Sequence, residues 1–292
     1  MRPTVKPTLI IDLIERLPAG VLSRAFGFMA RQEQPRAAVN LLKRAFVAAA
    51  GIDLREASTD TDDYVSLLAL FTRELDAEAR PIDAERDAVV SPVDGKVGAC
   101  GQVEDGTLLQ VKGRRYSLAK LLGGAEHAAR FAGGDYCTLY LSPRDYHRVH
   151  APLAGVVPAA TIIPGRLLPV FSHVVARVDE LFARNERLIT YLDTPDAGRV
   201  AVVMVGATLV GCVRVTYDTT VRTNVQGQGR VEKRYEPPRP LARGEQLGLF
   251  ELGSTVVLVA ERGRLTFAGL SPGQTVRMGQ RIGSTGGAAD RD

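Results

Sequence analysis

The sequence predicts an α+β protein, with N-terminal amphipathic helices followed by a β-rich, barrel-sandwich-like domain. Three observations carry this. Apolar residues recur at the helical period through the first 75 positions. From about residue 88 they give way to short valine-rich runs punctuated by Gly and Pro, the texture of antiparallel strands. A weak internal repeat is also visible. "SPVDGKV" (91–97) and "APLAGVV" (151–157) share one pattern, and "ARGEQLG" (242–248) is like "RMGQRIG" (277–283). Each reads as a turn leading into a strand, as in barrel-sandwich folds of the lipoyl and biotinyl type. No lysine stands at a hairpin tip, where a swinging-arm carrier would need one. The boundary is set at residues 1–80 for the helical region and 81–292 for the β-rich domain.

The helical region divides into three stripes. Val21, Leu22, Ala25, Phe26 and Met29 form the first, beside Arg24 and Arg31. Val39, Leu42 and Phe46 form the second, beside Lys43 and Arg44. Tyr64, Leu68, Phe71 and Leu75 form the third, entered through Asp60, Asp62 and Asp63, which suit a helix N-terminus. The third is expected to pack on the protein's own core. The first two fit either the core or a helix lying in a membrane interface. Residues 1–50 carry eight Lys or Arg and three Asp or Glu, a net of +5, against +4 for the whole chain. That asymmetry suggests an anionic partner, either nucleic acid or a membrane surface.

In the β-rich part, "VAVVMVGATLVGCV" (200–213) is too short to cross a bilayer as a helix. Its valines, with Gly206 and Gly211, predict two buried strands and a tight connection. The polar, Pro-rich "QGQGRVEKRYEPPRP" (226–240) predicts a mobile loop. Cys100, Cys137 and Cys212 lack C-x-x-C spacing, which argues against a disulfide framework or zinc ribbon and fits a reducing compartment. Pro3, Pro7 and Asp12 interrupt the place where the apolar core of a signal peptide would sit. Hydrophobic residues make up 45% of the chain, which excludes disordered and fibrous classes.

Residues suited to chemistry are few. The histidines are His127, His147, His150 and His173, and two of them fall in "LSPRDYHRVHAP" (141–152). No carboxylate follows that pair at helical ligand spacing and no cysteine is near, so no metal is expected. Asp94 sits at a turn before a strand, and "LFELGSTVVLVA" (249–260) places Ser254 after a glycine inside an apolar run. Glycine there marks a bend or a close backbone approach. An isolated Gly-Ser-Thr is most often a plain turn. With Asp94 and His150 it also supplies the parts of a nucleophilic triad, which geometry alone can establish.

"ELGSTVVL", "LSPRDYHRVHAP", "SPVDGKV", "LFARNERLI" (181–189) and "VGATLVG" (205–211) together resemble segments of the phosphatidylserine decarboxylases, pyruvoyl-dependent enzymes of the prokaryotic type I. The likeness runs from about residue 60 and is looser over the first 50. It implies that Ser254 attacks the Gly253 carbonyl, with His150 as base and Asp94 orienting it. Elimination would then leave a pyruvoyl group at 254 and two chains, 1–253 and 254–292, forming an αβ pair, with further dimerisation open. The pyruvoyl cofactor would take the substrate amine as a Schiff base and accept electrons as CO₂ leaves. His147 would position the substrate carboxylate or return the proton.

The resemblance further implies phosphatidylserine and an anionic membrane surface as partners, no nucleic acid, and a peripheral place on the cytoplasmic side of the cell membrane. Phe171, Ser172 and His173 are plausible pocket residues or a structural turn. Alternatives are a pyruvoyl decarboxylase of another amine, whether an ether-lipid serine or a free amino acid, and a non-enzymatic carrier or membrane-docking module.

Overall fold

The computed structural model describes residues 26–109, 114–208, 212–251 and 254–286. The architecture is mixed and mostly β. Its centre is an eight-stranded antiparallel sheet. In spatial order it holds β11 (Val231–Leu241), β7 (Gly155–Ile163), β8 (Arg187–Thr194), β9 (Gly198–Val205), β13 (Ser254–Ala260), β5 (Asp135–Leu141), β2 (Gly95–Gln102) and β15 (Thr275–Val276). Strands here are numbered in chain order. The sheet ends on β11 and β15 and does not close into a barrel among the described residues. Two three-stranded sheets flank it. One orders β10 (Val213–Val215), β12 (Gln246–Phe250) and β6 (Arg148–His150); the other orders β1 (Ala88–Val90), β16 (Arg281–Thr285) and β14 (Leu265–Phe267).

The repeat read from sequence is structural. Gly95 opens β2 and Gly155 opens β7, each just after its Pro-containing turn. A Cβ on Gly95 would lie 2.5 Å from the Tyr140 carbonyl oxygen, and one on Gly155 would lie 2.4 Å from that of Asp193. Only glycine permits both approaches. The two turns are cross-tied: Val90 N donates to Pro152 O (3.0 Å) and His150 N to Pro92 O (2.8 Å). The second pair of repeats closes on the first, with Gly244 N bonded to Ala151 O (2.9 Å) and Gly279 N to Ser91 O (3.0 Å).

Of the two strands predicted at 200–213, the first is β9; the second is corrected to β10, which starts only at Val213 and lies in a flanking sheet. The expected loop at 226–240 is corrected: residues 231–241 form β11, the edge strand. Its prolines are tolerated because an edge strand has one face of N–H groups free of the ladder, and the pairing with β7 shifts register between Arg234 and Arg239. The three cysteines also differ from expectation. Cys100 and Cys137 are register partners on β2 and β5 and form a cross-strand disulfide, leaving Cys212 free. Strand register, not sequence spacing, brings that pair together.

Among the N-terminal stripes, Val21, Leu22 and Ala25 lie outside the described residues, and 26–30 are helical. The second stripe is α1 (Arg36–Ala50). The third is corrected to one short helix, α2 (Leu67–Phe71). Ser66 starts it late by accepting from Ala69 N (3.1 Å), and Leu75 pairs instead with Ala57 in an isolated bridge. Of the expected basic flank of α1, Lys43 turns inward while Arg44 stays exposed. Lys43 is fully buried and donates from Nζ to Asp62 O (3.2 Å) and Tyr64 O, and Arg44 pairs with Asp62. Ala30, Leu67 and Phe71 make a small apolar cluster separate from the main core. No helix among the described residues is long and apolar enough to cross a membrane.

Candidate active site

Five segments separated in sequence converge at one end of the central strand β13. Ser254 is its first residue and stands opposite Leu141, the last residue of β5. On its other side, Thr255 stands opposite Val205, the last residue of β9. The chain leaving Leu141 is "SPRDYHRVH", and the chain leaving Val205 is Gly206-Ala207-Thr208. On the approach to Ser254, Phe250 N donates to His147 O (3.0 Å) and Glu251 N to Cys212 O (2.8 Å). Gly253 and the Ser254 side chain lie outside the described residues, and so does the bend expected there.

Pro143 opens a turn over 143–145 that stops short of both histidines. Asp145 closes it, with Oδ2 accepting from Ser142 N and Oγ, each at 2.7 Å. His147 directly precedes β6 and His150 ends it. The two rings therefore have different neighbours. His147 is fully buried, with its ring centroid 4.0 Å from that of Phe71. Its Nδ1 meets Asp145 O at 2.8 Å, and Nε2 has no partner among the described residues. Burial holds its pKa down at about 3, and the nearby Arg73 acts in the same direction. This imidazole is neutral throughout the physiological range.

His150 bonds Gly244 O through Nδ1 (2.8 Å) and Tyr146 Oη through Nε2 (3.1 Å). The carbonyl can only accept, so Nδ1 carries the proton and Nε2 is the basic position. Burial lowers the pKa of His150, while the Gly244 carbonyl and the charge of Asp94 oppose that shift. A neutral imidazole with a free-base Nε2 can accept a proton from a hydroxyl.

Asp94 is buried, but it does not bond His150. Its oxygens take Arg80 Nε (2.9 and 3.1 Å), Arg80 Nη2 (2.6 Å) and Met278 N (2.8 Å). The carboxylate expected to orient the ring makes no bond to it here, and Gly244 O holds Nδ1 instead. The reason is local: Arg80 presents a planar fork that matches a carboxylate bidentately.

Sequence reasoning passed over Arg80, Tyr146 and Arg73. The adjoining Pro81 and the aromatic in "RDYHRVH" were the available signals for the first two. Arg73 lay hidden in an apolar stripe.

The remaining motifs shape the opposite wall. Buried Asn185 donates from Nδ2 to Leu168 O (2.9 Å) and Gly206 O (2.8 Å), and accepts from Leu168 N (3.1 Å). This joins "LFARNERLI" to "VGATLVG" and to the segment entering "PVFSH". Phe171 is half-exposed. Ser172 and His173 lie in α5 (Ser172–Val175), and their side chains are outside the described residues. No group of three or more His, Cys, Asp or Glu placed to hold a metal occurs among the described residues.

Comparison with known proteins agrees with this convergence. Residues 67–284 match the family model described as phosphatidylserine decarboxylase. The chain is 46% identical over 277 residues to a phosphatidylserine decarboxylase proenzyme of Anaeromyxobacter sp. (strain K), covering 94% of this chain and 98% of that one. It is 43% identical over 274 residues to that of Myxococcus xanthus (strain DK1622), covering 94% and 97%. It is 41% identical over 276 residues to that of Brevibacillus brevis (strain 47 / JCM 6285 / NBRC 100599), covering 94% and 97%. On the matched residues and on these full-length similarities, the chain belongs to the phosphatidylserine decarboxylase family.

Proposed function

We propose that the chain is a proenzyme that cuts itself between Gly253 and Ser254 and then decarboxylates phosphatidylserine to phosphatidylethanolamine. The observation that carries this is the position of Ser254 at the open end of β13, where all five family-like segments meet. A cut there leaves β13 paired on both sides, to β5 and to β9. The small chain 254–292 therefore stays bound to 1–253 by sheet pairing. That placement suits a pyruvoyl group made from Ser254, which supplies an electrophilic carbonyl and an electron sink for loss of CO₂.

The chain's own residues would do the rest. Ser254 Oγ would attack the Gly253 carbonyl and His150 Nε2 would take its proton, with Tyr146 Oη, which bonds that nitrogen at 3.1 Å, available as a relay. Asp94 favours the imidazolium through space. His147 keeps Nδ1 on Asp145 O and presents Nε2 to the substrate. There it would position the substrate carboxylate or return the proton to the former α-carbon.

Residues 1–80 would be the membrane-associating region and 81–292 the catalytic domain. Phe28 and Leu41 support this, being about as exposed as side chains on a free surface (70% and 71%), with the net +5 of residues 1–50 beside them. An apolar, basic surface suits an anionic bilayer and a peripheral position on the cytoplasmic side of the cell membrane. Purified protein on a denaturing gel tests the whole reading. Two chains of 253 and 39 residues are expected, the smaller with the mass of a pyruvoyl and not a serine terminus. A single intact band overturns it.

A further inference from the structure

Phe171 is 47% exposed and Val225 41%, and backbone ties place both at the Ser254 end of the central sheet. Arg166 N donates to Arg184 O and Glu186 N to Arg166 O, each at 2.8 Å. Thr208 Oγ1 donates to Leu167 O, and Asn224 N donates to Glu186 Oε1 (2.8 Å). Asn185 joins Leu168 to Gly206, which follows Val205, the residue opposite Thr255. Segments 166–171 and 222–225 thereby form one rim beside the start of β13.

That rim is cationic. Arg166, Arg184 and Arg222 are exposed, and none is in an ion pair among the described residues. Stretches 164–171, 181–185 and 219–230 hold no Asp or Glu. Glu186 is engaged by Asn224 N, and Glu251 by Arg31 and Arg214. Charges at the opposite end of the sheet pair off instead. There Arg199 meets Asp193 and Arg130 meets Glu261, and the turn between β8 and β9 exposes Asp196.

Single exposed apolar side chains are ordinary on a protein surface, but two on one sheet end among uncompensated arginines mark a contact. We infer that this rim is a second bilayer contact, carried by the catalytic domain itself and separate from residues 1–50, which sets the Ser254 end of the sheet against an anionic leaflet. The inference rests on the decarboxylase reading, because a lipid substrate requires that orientation. Only Cβ and one ester oxygen separate the reacting carbon of phosphatidylserine from its phosphate. Residue 254 therefore meets that carbon close to the headgroup layer while the acyl chains stay in the bilayer. The rim suits that layer, with arginines for the phosphates and Phe171 and Val225 for the acyl boundary. A polyanion in water would match the arginines alone.

The chain contains no tryptophan, so one introduced indole reports one position. Phe171→Trp and Val225→Trp are made singly in the full chain. Val156→Trp serves as the comparison, since Val156 is 38% exposed and stands opposite Asp193 at the far end of the sheet. Each protein is mixed with vesicles of phosphatidylglycerol and phosphatidylcholine, with and without brominated acyl chains, and sedimentation of the same samples reports binding. These vesicles contain no substrate. Emission at 171 and 225 should shift to the blue and be quenched by the brominated chains, and emission at 156 should do neither. The triple variant Arg166→Gln/Arg184→Gln/Arg222→Gln should bind the vesicles about 100-fold more weakly, which is roughly fivefold per arginine near a charged surface.

Indoles at 171 and 225 that stay in water on vesicle-bound protein overturn the inference, as does an equal response at 156. So does a triple variant that binds as tightly as its parent, or an unaltered chain that fails to sediment with these vesicles. If Phe171→Trp does not fold, Val225→Trp, on a separate segment, carries the test. The decarboxylase reading stands or falls apart from this. Unaltered protein that splits and releases CO₂ upholds that reading whatever the indoles report, and protein that stays whole sinks it.

Discussion

The ring of Phe71 stacks on His147 at 4.0 Å between centroids, tilted by 42°, and Phe46 of α1 packs against Phe71 in turn at 6.1 Å. The N-terminal helices are therefore part of the wall of the site and not only an appendage to it. Removing residues 1–50 would strip Phe46 from that wall. Removing 1–25 alone should weaken sedimentation with anionic vesicles while leaving self-cleavage intact on a gel. Unchanged vesicle binding would argue against an interfacial role for that segment.

The two histidines should separate by function. His150→Ala removes the base and should leave one uncleaved chain, as should Ser254→Ala. His147→Ala should still split but release CO₂ more slowly by about 10²–10⁴, the usual effect of losing a general acid–base. Gels beside CO₂-release assays report both steps. The register favours scrutiny here, because His147 and not His150 is tied to Phe250. A His147→Ala chain that stays whole while His150→Ala matures would exchange the roles.

Asp94 should matter for stability as well as for processing. Asp94→Asn strands the buried guanidinium of Arg80 with Glu56 as its remaining acid. Breaking such a pair costs on the order of 3 kcal/mol. Urea denaturation in the uncleaved Ser254→Ala background measures this apart from maturation. A loss near zero would show that Arg80 re-pairs freely.

Acid should destabilise the uncleaved chain through His147. Its folded pKa of about 3 lies below the unfolded value of about 6.5, so the unfolded state binds the proton first. The stability present above pH 6.5 is lost as pH falls from there toward 3. Between pH 7 and 4 the difference between Ser254→Ala and Ser254→Ala/His147→Phe should narrow by roughly 3 kcal/mol. Parallel curves would show that His147 protonates normally in the fold.

Glu251, three residues before Ser254, is held by Arg31 and by Arg214 (3.7 Å). Loosening that hold should slow self-cleavage, since small misplacements of reacting groups cost about tenfold or more. Arg31→Glu should lower the processed fraction in a time course, and Glu251→Arg added to it should restore part of the rate. No rescue in the double variant would mean that Arg31 acts elsewhere.

Period and punctuation alone determined much of this protein. The switch from helical stripes to valine-rich strands, the four Gly-bearing turn repeats and the buried strand that begins 200–213 are local patterns, and each was legible. The segments carrying Asp94, His147, His150 and Ser254 stood out through their resemblance to family segments, since residue context alone left a plain turn as the commoner reading of Gly253-Ser254. Other features depended on long-range partners. Ser66 and the Ala57–Leu75 bridge cut the third helix short. Pairing with β7 made an edge strand of a Pro-rich segment, and register joined Cys100 to Cys137. Lys43 turned inward because backbone carbonyls of Asp62 and Tyr64 waited there. Arg80 claimed Asp94, and Tyr146 met His150. Arg73, an unremarked residue in the sequence, became a buried cation beside the site. Those outcomes rest on which groups are left to satisfy one another once the sheets assemble, and that information is in the tertiary packing.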